Sequence, residues 1–200
     1  MVWSFFFYDE MRCDSGMICY MVRHGKDDET IRGGWCEASL SDEGIAQVKE
    51  LARCLAEDFT FNVGYIYASD LVRTKESAEI LSSSLGVSVE FCSQFREVNN
   101  GLLAGMKNEV ANVKYPGLYW STLEWEEHYP GGESPKEFYE RISRAWNEFK
   151  DNVRGVPYNV MVVTHGGVMN VIQCLEYGVK YSNKFNPYPV GYAEMISIEI

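Results

Sequence analysis

Short unbroken apolar runs alternate along this chain with stretches in which apolar positions recur every three or four residues. Residues 17–22 form one such run, ending in Arg23-His24-Gly25, and the pattern predicts a buried strand entering a loop. Ser41 then stands as an N-cap, with Asp42 and Glu43 in the first turn, where carboxylates suit the positive end of a helix dipole. Ile45, Val48, Leu51, Ala52 and Leu55 follow at the spacing of one helix face. Residues 63–68 read as a second strand, followed by Ser69-Asp70 as a cap and a helix carrying Ala78, Leu81 and Leu85. A third strand is predicted over 87–91. From 101 to 130 the pattern is irregular and rich in aromatics (Tyr115, Tyr119, Trp120, Trp125, Tyr129), predicting a mostly helical, lid-like excursion over one end of the sheet.

Ser134-Pro135-Lys136-Glu137 is a capping box with proline at the first helical position, and Phe138, Ile142, Ala145, Trp146 and Phe149 give the helix an apolar face. Residues 158–163 form the clearest buried strand, ending in Thr164-His165-Gly166-Gly167 before another helix. Strict alternation over 192–200 predicts a last strand. Strands alternating with helices imply an α/β, three-layer sandwich with a mostly parallel central sheet flanked by helices. A single domain is expected over 17–200. Residues 1–16 are expected to be an extension outside its core. Their apolar patch, Trp3 to Tyr8, is too short for a signal sequence, lacks a basic flank and runs into Asp9-Glu10.

Composition narrows the function. With 200 residues, 46% hydrophobic and 24% charged, the chain is ordinary globular protein, and no apolar run approaches the roughly 18 residues that span a bilayer. Eighteen basic against 29 acidic residues give a net charge of -11, which repels nucleic acid and acidic membranes, and no basic stripe offsets it. The expected partner is a small molecule, with an anion admitted only by a few converging arginines. Six cysteines (Cys13, Cys19, Cys36, Cys54, Cys92, Cys174) are scattered without a C-x-x-C motif, as expected of buried, reduced thiols in a cytoplasmic protein. The oligomeric state stays open, a homodimer among the options, because strands at either sheet edge can be paired or free.

Only three histidines are present, and two of them, His24 and His165, follow a buried strand and precede glycine. Loops at the carboxyl ends of parallel strands form the ligand crevice, so both imidazoles are expected in one cleft. Arg23 adjoins the first, and Arg73 lies in the first turn of a predicted helix, where a cation is disfavoured unless an anion sits beside it. Guanidinium groups at a helix N-terminus suit phosphate or carboxylate. His128, between Glu127 and Tyr129, matches no motif and reads as a surface or lid residue.

Six segments together resemble the histidine phosphatase (phosphoglycerate mutase-like) superfamily, in its branch with glycine after the second histidine. They are Val22-Arg23-His24-Gly25, Leu40-Ser41-Asp42-Glu43-Gly44 with Gln47, Ala68-Ser69-Asp70-Leu71-Val72-Arg73-Thr74, Phe95-Arg96-Glu97 with Gly101, Gly132-Glu133-Ser134 and Val162-Val163-Thr164-His165-Gly166-Gly167. They stand in the family's order over residues 17–176. The resemblance implies that His24 carries the phosphoryl group as phosphohistidine. Arg23, Arg73 and His165, with Gly166 beside them, would hold its oxygens, and Glu97 would protonate the leaving oxygen and then activate water. It implies no metal and no cofactor. In one respect the chain departs from the family. The loop after Gly25 lacks the asparagine that touches the phosphoryl group in the glycolytic mutases, and Arg32, or backbone amides at Gly33-Gly34, is expected to substitute. That loop and the chain's shortness favour a phosphomonoesterase over a mutase-type phosphotransferase; a catalytically silent phospho-ligand binding protein is the third reading.

Overall fold

Buried strands belong in the middle of a sheet, and the two most apolar runs of this chain lie there side by side. The computed structural model describes residues 16–200. Residues 1–15 lie outside them, and with them the expectation about the N-terminal extension; Gly16 is exposed and donates its N–H to Glu199. Five strands, β1 (Ile18–Arg23), β2 (Tyr65–Ser69), β3 (Val89–Cys92), β4 (Val160–Thr164) and β5 (Met195–Glu199), form one sheet in the order β3-β2-β4-β1-β5. The first four are parallel, and β5 runs antiparallel to β1. Helices α1 (Asp42–Glu57), α2 (Val72–Leu85), α4 (Pro135–Val153) and α5 (Gly166–Glu176) supply the outer layers, so the α/β sandwich is as expected.

The period of two along each strand sorts its side chains to opposite faces. On one face Cys19, Met21, Val160 and Val162 pack with Phe138, Ile142, Trp146 and Phe149 of α4 and with α5. On the other, Val22, Ile66, Ala68, Met161 and Val163 pack with Val48, Ala52 and Leu55 of α1 and with Ala78 and Leu81 of α2. β4 is buried along its whole length, because helices cover it on both sides. Register places Arg23 opposite Thr164 and Ala68 opposite Val163. The residues that leave β1, β2 and β4 therefore emerge together at one end of the sheet.

Of the three hydroxyl N-caps read from the sequence, those of α1 and α4 are present. Ser41 accepts from the Gly44 amide, and Ser134 and Glu137 exchange the two bonds of a capping box. Ser134→Ala should lower stability by about 1 kcal/mol, read as a fall in melting temperature of a few degrees with unchanged secondary structure at 25 °C. The Ser69-Asp70 cap is not formed. β2 extends through Ser69, the N-cap of α2 is Leu71 without a side-chain bond, and Asp70 instead takes both forks of Arg96 at 2.6 Å.

The 101–130 stretch is less helical than expected. It holds α3 (Asn108–Lys114) and two 3-10 turns (Gly101–Leu103 and Trp120–Thr122), joined by irregular chain around a small core of Leu103, Leu123 and Tyr129. Gly105 and Gly117, at φ of 70° and 75°, turn the chain on either side of α3. The cysteine expectation also needs correction. Cys19, Cys36 and Cys174 are free and buried, but Cys92 is only half-buried and Cys54 is exposed on α1; Cys13 lies outside the described residues. Among the described residues no helix is long and apolar enough to cross a membrane.

Candidate active site

His24 and His165 are the first residues past two adjacent parallel strands, and their rings meet edge to face with centroids 5.1 Å apart. Each is almost or wholly buried, at 5% and 0% exposure. His24 Nδ1 donates to the carbonyl of Gly25 at 2.7 Å, and Nε2 accepts from Arg73 Nε at 3.3 Å. Those two partners place the ring proton on Nδ1 and leave the lone pair on Nε2. Burial, reinforced by Arg73 and then by Arg23 against the pull of the Gly25 carbonyl, holds the His24 pKa well below the ordinary 6.5. His165 is held low by burial first, and then by Arg73, His24, Arg23 and Arg141. Its Nε2 lies 2.9 Å from Ser69 Oγ, while its buried Nδ1 has no partner.

Two guanidinium groups flank the rings. Arg23 donates from Nη1 to the carbonyl of Val190 at 2.7 Å, lies 3.9 Å over the Tyr192 ring, and keeps a buried Nε without a partner. Gly166, the first residue of α5, sits against it; a Cβ there would stand 3.5 Å from Arg23 Nε. Arg73 is 2% exposed. It donates to the carbonyls of Gly34 (2.8 Å) and Cys36 (3.3 Å), and its Nε is shared between His24 and Asp27 Oδ2, also at 3.3 Å. Burial raises the Asp27 pKa against the opposing pull of Arg73.

Glu97 reaches the same end of the sheet by a different route. Its two carboxylate oxygens accept from the amides of Val98 (3.0 Å) and Gly167 (3.1 Å), the latter at the positive N-terminus of α5. A Cβ at 167 would overlap a Glu97 carboxylate oxygen, so any side chain there would push the carboxylate from its place. Trp35 Nε1 (2.6 Å) and Arg141 Nη2 (3.1 Å) both donate to the Glu97 carbonyl and fix the backbone from behind.

Of the residues expected from sequence, the structure brings together Arg23, His24, Arg73, His165 and Gly166, with Glu97 bound to α5 beside them. The guanidinium of Arg32 donates to Asn112 at 2.7 Å and lies 4.3 Å over Tyr119, tying the loop to the 101–130 stretch, and its buried Nε has no partner. The carbonyls of Gly33 and Gly34 accept from Asn100 and Arg73. His128 is exposed and pairs with Glu137 at 3.0 Å. Sequence reasoning missed Asp27, Tyr192 and the bond from Ser69 to His165. Asp27 is one acid of an acidic loop, and Tyr192 was read only as the start of a strand. Among the described residues no three His, Cys, Asp or Glu side chains converge as a metal set.

Buried rings that resist protonation make folding sensitive to acid. Below the ordinary histidine pKa of 6.5 the unfolded chain takes up protons that folded His24 and His165 refuse, so folding stability falls as pH drops through that value. Thermal melts should show a lower melting temperature at about pH 5.5 than at about pH 7.5, with part of the loss recovered by added inorganic phosphate. A melting temperature that rises on acidification would contradict this electrostatic picture.

Comparison with known proteins agrees with the geometry. The family model for the histidine phosphatase superfamily, branch 1, matches residues 19–200. Phosphoglycerate mutase-like protein 4 of Arabidopsis thaliana is 30% identical over 172 residues, spanning 80% of this chain and 73% of its own. Among solved structures, a mycobacterial glucosyl-3-phosphoglycerate phosphatase shares the fold with a TM-score of 0.74 at 23% identity, covering 91% of this chain and 89% of its own. The alpha-ribazole phosphatase of Shigella flexneri does so with a TM-score of 0.77 at 21% identity, covering 92% and 91%.

Proposed function

Because the chain belongs to branch 1 of the histidine phosphatase superfamily, we propose that it is a cytoplasmic, metal-independent phosphomonoesterase that hydrolyses a small phosphorylated metabolite through phosphohistidine at His24. One observation carries this reading. His24 Nε2 holds a lone pair, and beside it two buried polar atoms, Arg23 Nε and His165 Nδ1, have no partner in the protein. Buried polar atoms are satisfied as a rule, so a pair left open around a nucleophile marks the place of an acceptor-rich ligand. A phosphoryl group supplies those acceptors.

In the first step Nε2 of His24 forms a bond to phosphorus as the ester P–O bond breaks, and Glu97 delivers a proton to the departing oxygen. Arg23, Arg73 and His165 neutralise charge on the phosphoryl oxygens, which is where most of the catalysis of phosphoryl transfer lies. In the second step water attacks phosphorus, Glu97 takes its proton, and the P–N bond breaks to release inorganic phosphate. Arg73 must slacken its bond to His24 Nε2 for the first step to begin, because both need the same lone pair.

The mutase-type alternative differs only in the acceptor of the phosphoryl group, and its support is the name of the Arabidopsis relative. Incubation with 3-phosphoglycerate and a trace of its bisphosphate, in the presence of a chelator, separates the readings. Free phosphate from this ester, or from another in a phosphometabolite panel, supports the phosphatase. Isomerised ester without phosphate supports the mutase, and tight binding of phosphoesters without turnover supports a silent binder.

A further inference from the structure

We infer that Ser69 is a positioning residue for this reaction: its hydroxyl donates to Nε2 of His165 and so keeps that ring's proton on Nδ1, the nitrogen left to donate to the bound phosphoryl group. What Nδ1 donates to rests on the phosphatase reading; the tautomer does not.

Ser69 is fully buried at the carboxyl end of β2, the strand next to β4, and its Oγ lies 2.9 Å from His165 Nε2. The same oxygen accepts from the Leu71 amide at 3.5 Å. The hydroxyl has a second lone pair, so the direction is set by its hydrogen. Among the described residues His165 Nε2 is its one hydrogen-bond acceptor, and a proton on that nitrogen would leave the buried serine hydrogen without a partner. His165 is desolvated and surrounded by Arg73, Arg23 and Arg141, which favour the neutral ring. A neutral imidazole has one N–H, and the bond made by one nitrogen decides which of the two carries it. With the proton on Nε2 instead, Nδ1 would present a bare lone pair to an anion. This is a different office from the helix cap that the local sequence suggests.

The tautomer is directly readable. With three histidines in the chain, long-range ¹H–¹⁵N correlation on ¹⁵N-histidine-labelled protein resolves each ring, and a His165→Asn variant assigns the signals. The expected spectrum shows His165 Nδ1 protonated and Nε2 unprotonated, in the free protein and with inorganic phosphate bound. A protonated Nε2 overturns the inference outright, whatever any variant does. Ser69→Ala should mix the tautomers and lower kcat/KM by on the order of tenfold or more, with Ser69→Thr restoring most of it. An unchanged spectrum and rate in folded Ser69→Ala would also overturn it. A protein with the expected tautomer that turns over no phosphoester supports the Ser69 assignment and counts against the phosphatase reading.

Discussion

His24→Ala should abolish hydrolysis of para-nitrophenyl phosphate, with a loss on the order of 10⁶-fold in kcat, the size expected when a covalent nucleophile is removed. The argument is geometric. His24 Nδ1 is occupied by the Gly25 carbonyl, so Nε2 is the one nitrogen of this ring able to attack, and His165 is committed to Ser69 through its own Nε2. No second imidazole is placed to take over. Removal of the ring leaves Arg73 its bonds to Gly34, Cys36 and Asp27, so the variant should stay folded, which circular dichroism checks. Brief exposure of the unaltered protein to a reactive phosphoester should leave an acid-labile, base-stable label that His24→Ala lacks. Residual turnover above about a thousandth, or a label that persists in the variant, would move the nucleophile elsewhere.

Glu97→Gln should divide substrates by their leaving group. An alkyl phosphate needs a proton on its departing oxygen, and loss of the acid should cut kcat/KM by about 10² to 10⁴. Para-nitrophenolate leaves unaided, so its kcat/KM, which reports the first step, should fall far less. Glutamine keeps the length of the side chain but has one acceptor for the two amides of Val98 and Gly167. Some loss common to both esters is therefore expected, and the test is the difference between them. Equal losses would reduce Glu97 to a structural partner of α5.

Much of this was legible along the chain because strong local signals coincide with the fold. The six-residue run at 17–22 and the run at 158–163 are apolar on both faces, which only a strand covered by helices tolerates, and they became β1 and β4. The capping box at Ser134 marked α4 to the residue. His24 and His165 could be placed together because strand ends in a parallel sheet share one side. Ser69 illustrates the limit. A serine before a helix reads locally as a cap, and its real partner is 96 residues away, visible only once β2 and β4 are neighbours. Arg32 shows a related limit: its contacts with Asn112 and Tyr119, far along the chain, cannot be read from the glycines beside it. The antiparallel direction of β5 was likewise hidden, since alternation of side chains is the same in either direction.

Arg73 is gripped by the carbonyl oxygens of Gly34 and Cys36. Peptide oxygens persist whatever side chains a loop carries. Replacements at the exposed positions 28–30 can therefore reshape what an incoming molecule meets while the guanidinium keeps its aim. Selectivity is thereby free to drift under natural or laboratory evolution without dismantling the bond-breaking apparatus beneath it.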